Sequence, residues 1–348
     1  MIRIGINGFG RIGRALTRIL LNSSDIQLVV INELDSDIAN LAYLLKYDTL
    51  YGRLSMNVFA EKHSLVVNDN FIPVFSTKKI TDVEWGDFNL DVLIESSGVG
   101  DNVGSAHELI SKKIVPKVVV TNASLNVDKT IIIGVNEFEY DSSIHHVISS
   151  SICDANAVAP LLNLVDKNWG IEAVFLTTLH PWLSYQNLLD GPVSSILSPG
   201  HSWGDYSLGR ASASNLIPKD TTAGVATSVV LPHLSGVIEA LSFRVPTHIV
   251  SASDLAIKLK KATTTFEVNR CFEEKAKKYP HVFCLEKEAL VSSDYIGAQQ
   301  SCIVDARRTR VIDSNFLKMV AWYDNEWGYS NRVLDVARLV MRGVDYAD

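Results

Sequence analysis

The sequence predicts an α/β chain in two parts. The first carries a mostly parallel sheet interleaved with helices. The second is an α+β region with a largely antiparallel sheet. Three observations predict this. The N-terminus reads strand, glycine turn, helix, strand. Short apolar strands go on alternating with helical stretches up to Ser150. Beyond Cys153, long alternating runs follow one another with few helices between them, the pattern of an antiparallel sheet. At 348 residues the chain is too long for one ordinary core. The expected division is 1–152 and 153–324, with 325–348 returning to the first part as a helix.

Each element has its own cue. "IRIGINGFG" is an apolar strand running into glycines, and "GRALTRILLNS" follows with Ala15, Ile19 and Leu20 at helical spacing. "IQLVVINEL" is the next strand, which completes a right-handed βαβ unit of the Rossmann type. "HSLVVN", "DVLIESSG", "KVVVTNAS" and "TIIIGVN" are further strands. "PLLNLVDKN" reads as a helix, bent or started at Pro160. The alternating runs are "EAVFLTTLH", "EALSFRVPTHIVSASDLAIKL", "SCIVDARRTRVID" and "FLKMVAWYDN". Between the first two lies a Ser/Gly/Pro-rich stretch over 190–214, expected to be a long functional loop. "NRVLDVARLVMRG" closes the chain as a helix.

Composition removes several classes of function. The net charge of −7 speaks against a nucleic-acid or anionic-membrane binder, which needs a basic face. No apolar run is long enough to span a membrane, and no signal-peptide pattern opens the chain, so a cytoplasmic location is expected. The four cysteines, 153, 271, 284 and 302, form no CxxC pair, so neither a metal site nor a disulfide framework is expected.

Gly8, Gly10 and Gly13 form GxGxxG between a strand and a helix. Gly8 permits the tight turn, Gly10 lets the backbone approach a pyrophosphate, and Gly13 allows close helix–strand packing. Glu33 ends the second strand, where a carboxylate binds both ribose hydroxyls and repels a 2′-phosphate. The expected cofactor is therefore NAD. Cys153 stands where a polar strand end meets a helix start, and a helix N-terminus favours the thiolate. His180 ends "AVFLTTLH". Alone, the first reads as a small buried hydrophobe and the second as a structural histidine. After a nicotinamide-binding fold, a nucleophile and a base suggest oxidation of an aldehyde through a thioester. The other class this pattern admits is a non-catalytic NAD-binding scaffold.

The chain resembles the glyceraldehyde-3-phosphate dehydrogenase family over nearly its whole length. The anchors are "INGFGRIGR", "LKYDTLYGRL", "ESSGV", "SxxxCxxN", "TTLH", "LDGP", "NLIP", "FRVPT", "SCIVDA" and "WYDNEWGYSNRVLD". "INEL" followed by "LLKYDT" looks closer to the erythrose-4-phosphate dehydrogenase branch. The resemblance implies Cys153 as nucleophile and His180 as base. It implies Asn325, with Tyr329 nearby, at the nicotinamide, and Arg11 and Ile12 as backbone partners of the pyrophosphate. Ser97 stands at the cofactor edge. Arg244 and Thr221 match anion-site residues, and Arg210 is kept in the long loop. A small aldehyde as substrate and a homotetramer, with the long loop reaching a neighbour's cofactor, are also implied.

Departures from the family cluster at its anion sites. Ile152 and Asp154 replace the Ser and Thr that flank the cysteine. Thr222 replaces a glycine, and Leu183 and Tyr185 fill threonine positions. The long loop is longer than usual, and Ser207 and Leu208 stand where the family has a basic pair. Losing charge-assisted contacts costs roughly 1.5 to 3 kcal/mol each. The first half-reaction is therefore expected to be kept, with an altered substrate or with water as the acyl acceptor, which Asp154 would orient.

Overall fold

The computed structural model describes residues 1–35, 37–193 and 205–343. The chain folds as two compact units. One comprises Met1–Ile131, Glu137–Ser151 and the C-terminal segment from Ser330; the other comprises Ile132–Asn136 and Ile152–Tyr329. The sequence reading drew the divisions at 152 and 325; the units divide at Ser151 and Tyr329, and Ile132–Asn136 belongs with the second.

The first unit is built on a sheet that runs, edge to edge, through Lys129–Thr130, Val147–Ser149, Val118–Val120, Val92–Glu95, Ile2–Asn7, Ile26–Asn32, Asn70–Phe75, Ser64–Val67 and Val58–Glu61. All neighbours are parallel as far as Asn70–Phe75, and the last two pairings are antiparallel. The central strands are continuous runs such as "VLIE" and "VVV" because they are buried on both faces. "TIIIGVN" gives only the short strand Lys129–Thr130. The chain turns away at Gly134, with φ +88°, and Val135 N–H closes the turn on Ile132 O at 3.0 Å.

The last helix, Trp327–Arg342, supplies part of this unit's core. Val333, Leu334, Ala337 and Leu339 are buried, each larger side chain contributing about 1.5–3 kcal/mol. Arg338 Nε meets Asp25 at 2.9 Å and Arg342 at 3.0 Å, which holds that carboxyl well below the usual carboxylate range.

The first strand, Ile2–Asn7, lies where the order of the sheet reverses, between Ile26–Asn32 and Val92–Glu95. Such a switch point opens a crevice at the strands' C-terminal ends. The glycine turn occupies it. Gly8 has φ +95°, and a Cβ there would lie 2.5 Å from the Ser97 backbone; one on Gly13 would lie 2.2 Å from Gly8 O. Among the described residues beyond its chain neighbours, nothing stands within 4 Å of a Cβ on Gly10.

The second unit centres on a sheet ordered Ile217–Asp220, Ile238–Val245, Ile171–Pro181, Ser251–Leu259, Phe316–Tyr323, Cys302–Asp305 and Phe283–Glu286, with Arg310–Ile312 beside Phe316–Tyr323. It is largely antiparallel, with two parallel pairs: Ile171–Pro181 with Ile238–Val245, and Phe283–Glu286 with Cys302–Asp305. Alternation sorts its faces. Val174, Leu176, Thr178 and His180 point inward, and Phe175 and Leu179 point outward. The helix Cys153–Trp169 begins at Cys153 rather than at Pro160, which lies inside it. No described helix is long and apolar enough to cross a membrane.

The glycine contacts predict unequal responses to alanine. Gly8→Ala and Gly13→Ala should each lose at least about 2 kcal/mol, through strain or backbone clash. Gly10→Ala should stay within about 0.5 kcal/mol of the parent. Urea unfolding of the three variants measures this.

Candidate active site

The nucleotide crevice of the first unit is built on backbone groups. The helix Arg11–Leu20 starts from Gly10 with no side-chain cap, and the N-terminus of such a helix favours a bound anion. Arg11 and Ile12 form that first turn. The Arg11 side chain itself is held by Asp48 at 2.5 Å and lies over the Tyr51 ring. Glu33 bends back to the glycine turn: its Oε2 accepts Phe9 N–H at 2.5 Å and its Oε1 accepts Leu34 N–H at 2.7 Å. Beneath the turn lies a buried polar network. Asn32 Nδ2 donates to Asn7 Oδ1 at 2.7 Å, and Asn7 Nδ2 donates to Glu95 Oε2 at 2.5 Å. Glu95 also accepts the Ser97 N–H at 2.8 Å and the Ser97 hydroxyl. Burial pushes the Glu95 carboxyl up. Ser97 is thus fixed against Gly8. An uncapped helix start, an open position at Gly10 and an anchored carboxylate on the next strand together fit a dinucleotide with a free ribose.

In the second unit, Cys153 is the first residue of its helix, after the extended Ile152. Asn156 Nδ2 donates to Ile152 O at 3.0 Å and braces that first turn. Cys153 Sγ lies 3.7 Å from His180 Nε2 and 3.5 Å from Asp154 Oδ1. His180 Nδ1 lies 2.8 Å from Pro181 O, an acceptor that fixes the proton on Nδ1. The Nε2 lone pair is then directed at the thiol. Asp154 is buried, and its Oδ1 also accepts the Tyr323 hydroxyl at 2.8 Å.

The expected thiolate is not what this setting favours. Burial, and then the Asp154 charge, push the Cys153 thiol well above its ordinary value; Arg244 opposes them. Burial and Arg244 lower His180 to about 4, against the opposing pull of Asp154. These surroundings favour a neutral thiol and a neutral imidazole over an ion pair. The helix N-terminus is worth about 0.3–1 kcal/mol, up to about 2, and cannot outweigh burial beside a carboxylate.

Strand register brings cations to the same face. His180 stands opposite Arg244 in the parallel pairing, and Thr178 donates to Ser242 Oγ at 2.8 Å one step below. Lys219 stands opposite Ser242 on the next strand. Arg244 is buried, and its Nε has no hydrogen-bond partner among the described residues. Tyr185 hydrogen-bonds Arg244 and feels Cys153. Lys219 is a cation that sequence reasoning missed. Burial and Arg244 lower its pKa, and Asp154 raises it. Its alternation with buried Ile217 in "LIPKD" was the available signal. Tyr323 was missed as well, although it takes the inward position in "AWYDN".

Asn325 is buried, and its Oδ1 accepts the N–H of Val250 at 3.1 Å, a residue held at φ +70°. Tyr329 lines a small recess with Cys153, Asn156, Ser301, Tyr323 and Asp324. Thr221 accepts Ala223 N–H at 3.2 Å at the start of a short helix. Arg210 sits in an exposed ion pair with Asp190 at 2.9 Å. Within the stretch 190–214, residues 194–204 lie outside the described residues.

A dinucleotide crevice in one unit, and a thiol, imidazole and cations in the other, define an NAD-dependent dehydrogenase. The family model described as glyceraldehyde 3-phosphate dehydrogenase, NAD binding domain, matches residues 2–103, and that of the C-terminal domain matches residues 152–325. Glyceraldehyde-3-phosphate dehydrogenase 2 of Streptomyces avermitilis is 40% identical over 341 residues, covering 97% of this chain and 98% of the relative. The Streptomyces coelicolor enzyme is 39% identical over 342 residues and glyceraldehyde-3-phosphate dehydrogenase 1 of Bacillus cereus 38% over 338, each with 97% and 98% covered. The chain belongs to the glyceraldehyde-3-phosphate dehydrogenase family, and NAD is its cofactor.

Two outcomes follow from the electrostatics. Below pH 6.5 the unfolded chain protonates this histidine while the folded chain resists until about 4. The stability tied to neutral His180 is therefore complete above 6.5 and is lost as pH falls towards about 4, by about 3 kcal/mol. His180→Gln should flatten that part of the pH–stability curve in urea titrations. Asp154→Asn removes a charge that raises the thiol, so Cys153 should react with iodoacetamide several-fold faster at pH 7. A rate at or below the parent's would contradict this account.

Proposed function

We propose that the protein oxidises glyceraldehyde 3-phosphate or a closely related sugar aldehyde with NAD, through a thioester on Cys153. The observation that carries this is Cys153 Sγ at 3.7 Å from a His180 Nε2 whose other nitrogen is fixed by Pro181 O. As Sγ attacks the aldehyde carbon, its proton passes to Nε2 and from there to the carbonyl oxygen, giving a hemithioacetal. Bound NAD supplies the acceptor for the hydride of that carbon. His180 takes the hydroxyl proton back as the carbonyl re-forms in the thioester. The neutral resting pair suits this shuttle, because the base is unprotonated and the thiol carries the proton to be moved. Arg244 and Lys219 are assigned to the substrate's anionic group, and Arg244 Nε is a buried donor in need of one.

The nucleotide roles go to Gly8, Gly10, Arg11, Ile12, Gly13, Glu33 and Ser97, with Asn325 and Tyr329 at the nicotinamide end. Thr221 is assigned to the anion site and Arg210 is left outside it. A cytoplasmic homotetramer is part of this reading. Its support is the outward face of the second sheet, where Phe175, Leu179 and Leu241 are exposed, a surface suited to another copy of the chain.

Release of the acyl group by water is a second reading, favoured by Asp154. A buried carboxylate 3.5 Å from Sγ opposes an attacking phosphate anion and can orient a water molecule.

NADH formation with glyceraldehyde 3-phosphate should occur in the parent and fall about 10²–10⁴-fold in His180→Gln. Lys219→Ala should raise KM for the phosphorylated aldehyde about tenfold, with little effect on an unphosphorylated one. Turnover that depends steeply on inorganic phosphate would sink the water reading.

A further inference from the structure

The geometry points to a site for one Zn²⁺ ion formed by Cys153 Sγ, Asp154 Oδ1 and His180 Nε2. Sequence spacing gives no hint of it; the fold assembles it. The three ligand atoms lie within 4.8 Å of one another. Their separations are 3.5 Å (Sγ to Oδ1), 3.7 Å (Sγ to Nε2) and 3.9 Å (Nε2 to Oδ1). Zinc bonds of about 2.3 Å to sulfur and 2.0–2.2 Å to nitrogen or oxygen, meeting at the tetrahedral angle, hold their outer atoms about 3.3–3.6 Å apart. Both sulfur separations therefore already suit a zinc tetrahedron, and Nε2 and Oδ1 need only close on each other by about half an ångström.

The supporting contacts have the form that metal sites use. His180 gives its Nδ1 proton to Pro181 O at 2.8 Å, which leaves Nε2 as the lone pair facing the cluster. Asp154 Oδ1 is held in place by the Tyr323 hydroxyl at 2.8 Å and keeps a second lone pair. Charge is balanced as well. On coordination the thiol proton leaves to solvent, so the dication meets one thiolate and one carboxylate, and the neighbouring cations Arg244 and Lys219 face a neutral unit. Three protein ligands leave a fourth position for water.

Asp154 is the residue that makes the difference. Without it the thiol and imidazole offer two ligands, too few for a tight site. With it, the group proposed to carry the acyl chain becomes a place where zinc holds the enzyme silent. That effect on turnover rests on the thioester reading above; the binding itself does not.

The test uses the full-length protein and Co²⁺ as a visible substitute for Zn²⁺. One Co²⁺ per chain should bind with a thiolate-to-metal charge-transfer band, which stoichiometric Zn²⁺ removes. Cys153→Ser should abolish the band. Asp154→Asn, which keeps the side chain's shape, should weaken Zn²⁺ binding about a hundredfold or more in competition with a chromogenic chelator. In the parent, Zn²⁺ should stop NADH formation and a chelator should restore it. Absence of the charge-transfer band in the parent, or unchanged Zn²⁺ affinity in Asp154→Asn, would overturn the site. If the band forms but no aldehyde is oxidised without metal, the dehydrogenase reading fails while the metal site stands.

Discussion

The register between the parallel strands Ile171–Pro181 and Ile238–Val245 is the constraint on which the second unit's chemistry depends. It sets His180 opposite Arg244 and Thr178 opposite Ser242. Side chains alternate along a strand, so a slip of one residue would turn the imidazole to the outer face beside Leu179. The Thr178–Ser242 hydrogen bond, buried at 2.8 Å, marks the correct register from within. The antiparallel strand Ile217–Asp220 inherits that alignment and presents Lys219 to the same face. The antiparallel strands Ser251–Leu259 and Phe316–Tyr323 extend it to Tyr323, whose hydroxyl reaches Asp154. The helix from Cys153 then needs only to lay its first turn over this face.

Asp154 gives the resulting cluster its character. A carboxylate at hydrogen-bond distance from a thiol stabilises the S–H form, and a nearby guanidinium destabilises imidazolium. Those two opposing charges, acting in a buried place, keep proton and lone pair on the partners that need them. A family member with an uncharged residue beside the cysteine would lack the first of these effects. The difference lies in one side chain, but it changes the charge beside the thiol and the imidazole together.

Much of this was legible in the sequence where the cause is local. The glycine fingerprint depends on a strand, a turn and a helix start within Ile2–Leu20, and the structure places Gly8 and Gly13 in the close approaches that the pattern requires. The two sheet types follow from continuous versus alternating apolar runs. The parallel pairing of Ile171–Pro181 with Ile238–Val245 was not legible, since alternation reports which face is buried and not the strand's direction. Lys219 and Tyr323 escaped notice for the same reason: each matters through partners that only tertiary pairing supplies. The sign of the thiol shift was misjudged because position at a helix start is readable from sequence, whereas depth of burial is not. Arg18 is another case, a cation buried at 4% exposure whose carbonyl partners Leu45 and Gly52 lie far along the chain.

The helix Trp327–Arg342 has a consequence for how the protein comes into being. Arg338 closes on Asp25, 313 residues away, and Tyr140 donates to Val340 O at 3.1 Å across 200, so the nucleotide-binding unit is sewn together by residues far apart in the chain. During synthesis its strands emerge early, but its last core helix is made only after the entire second unit. Until then the surface that buries Val333, Leu334 and Leu339 lacks its cover. Order of translation, and not only sequence, therefore decides when the core of this unit is completed.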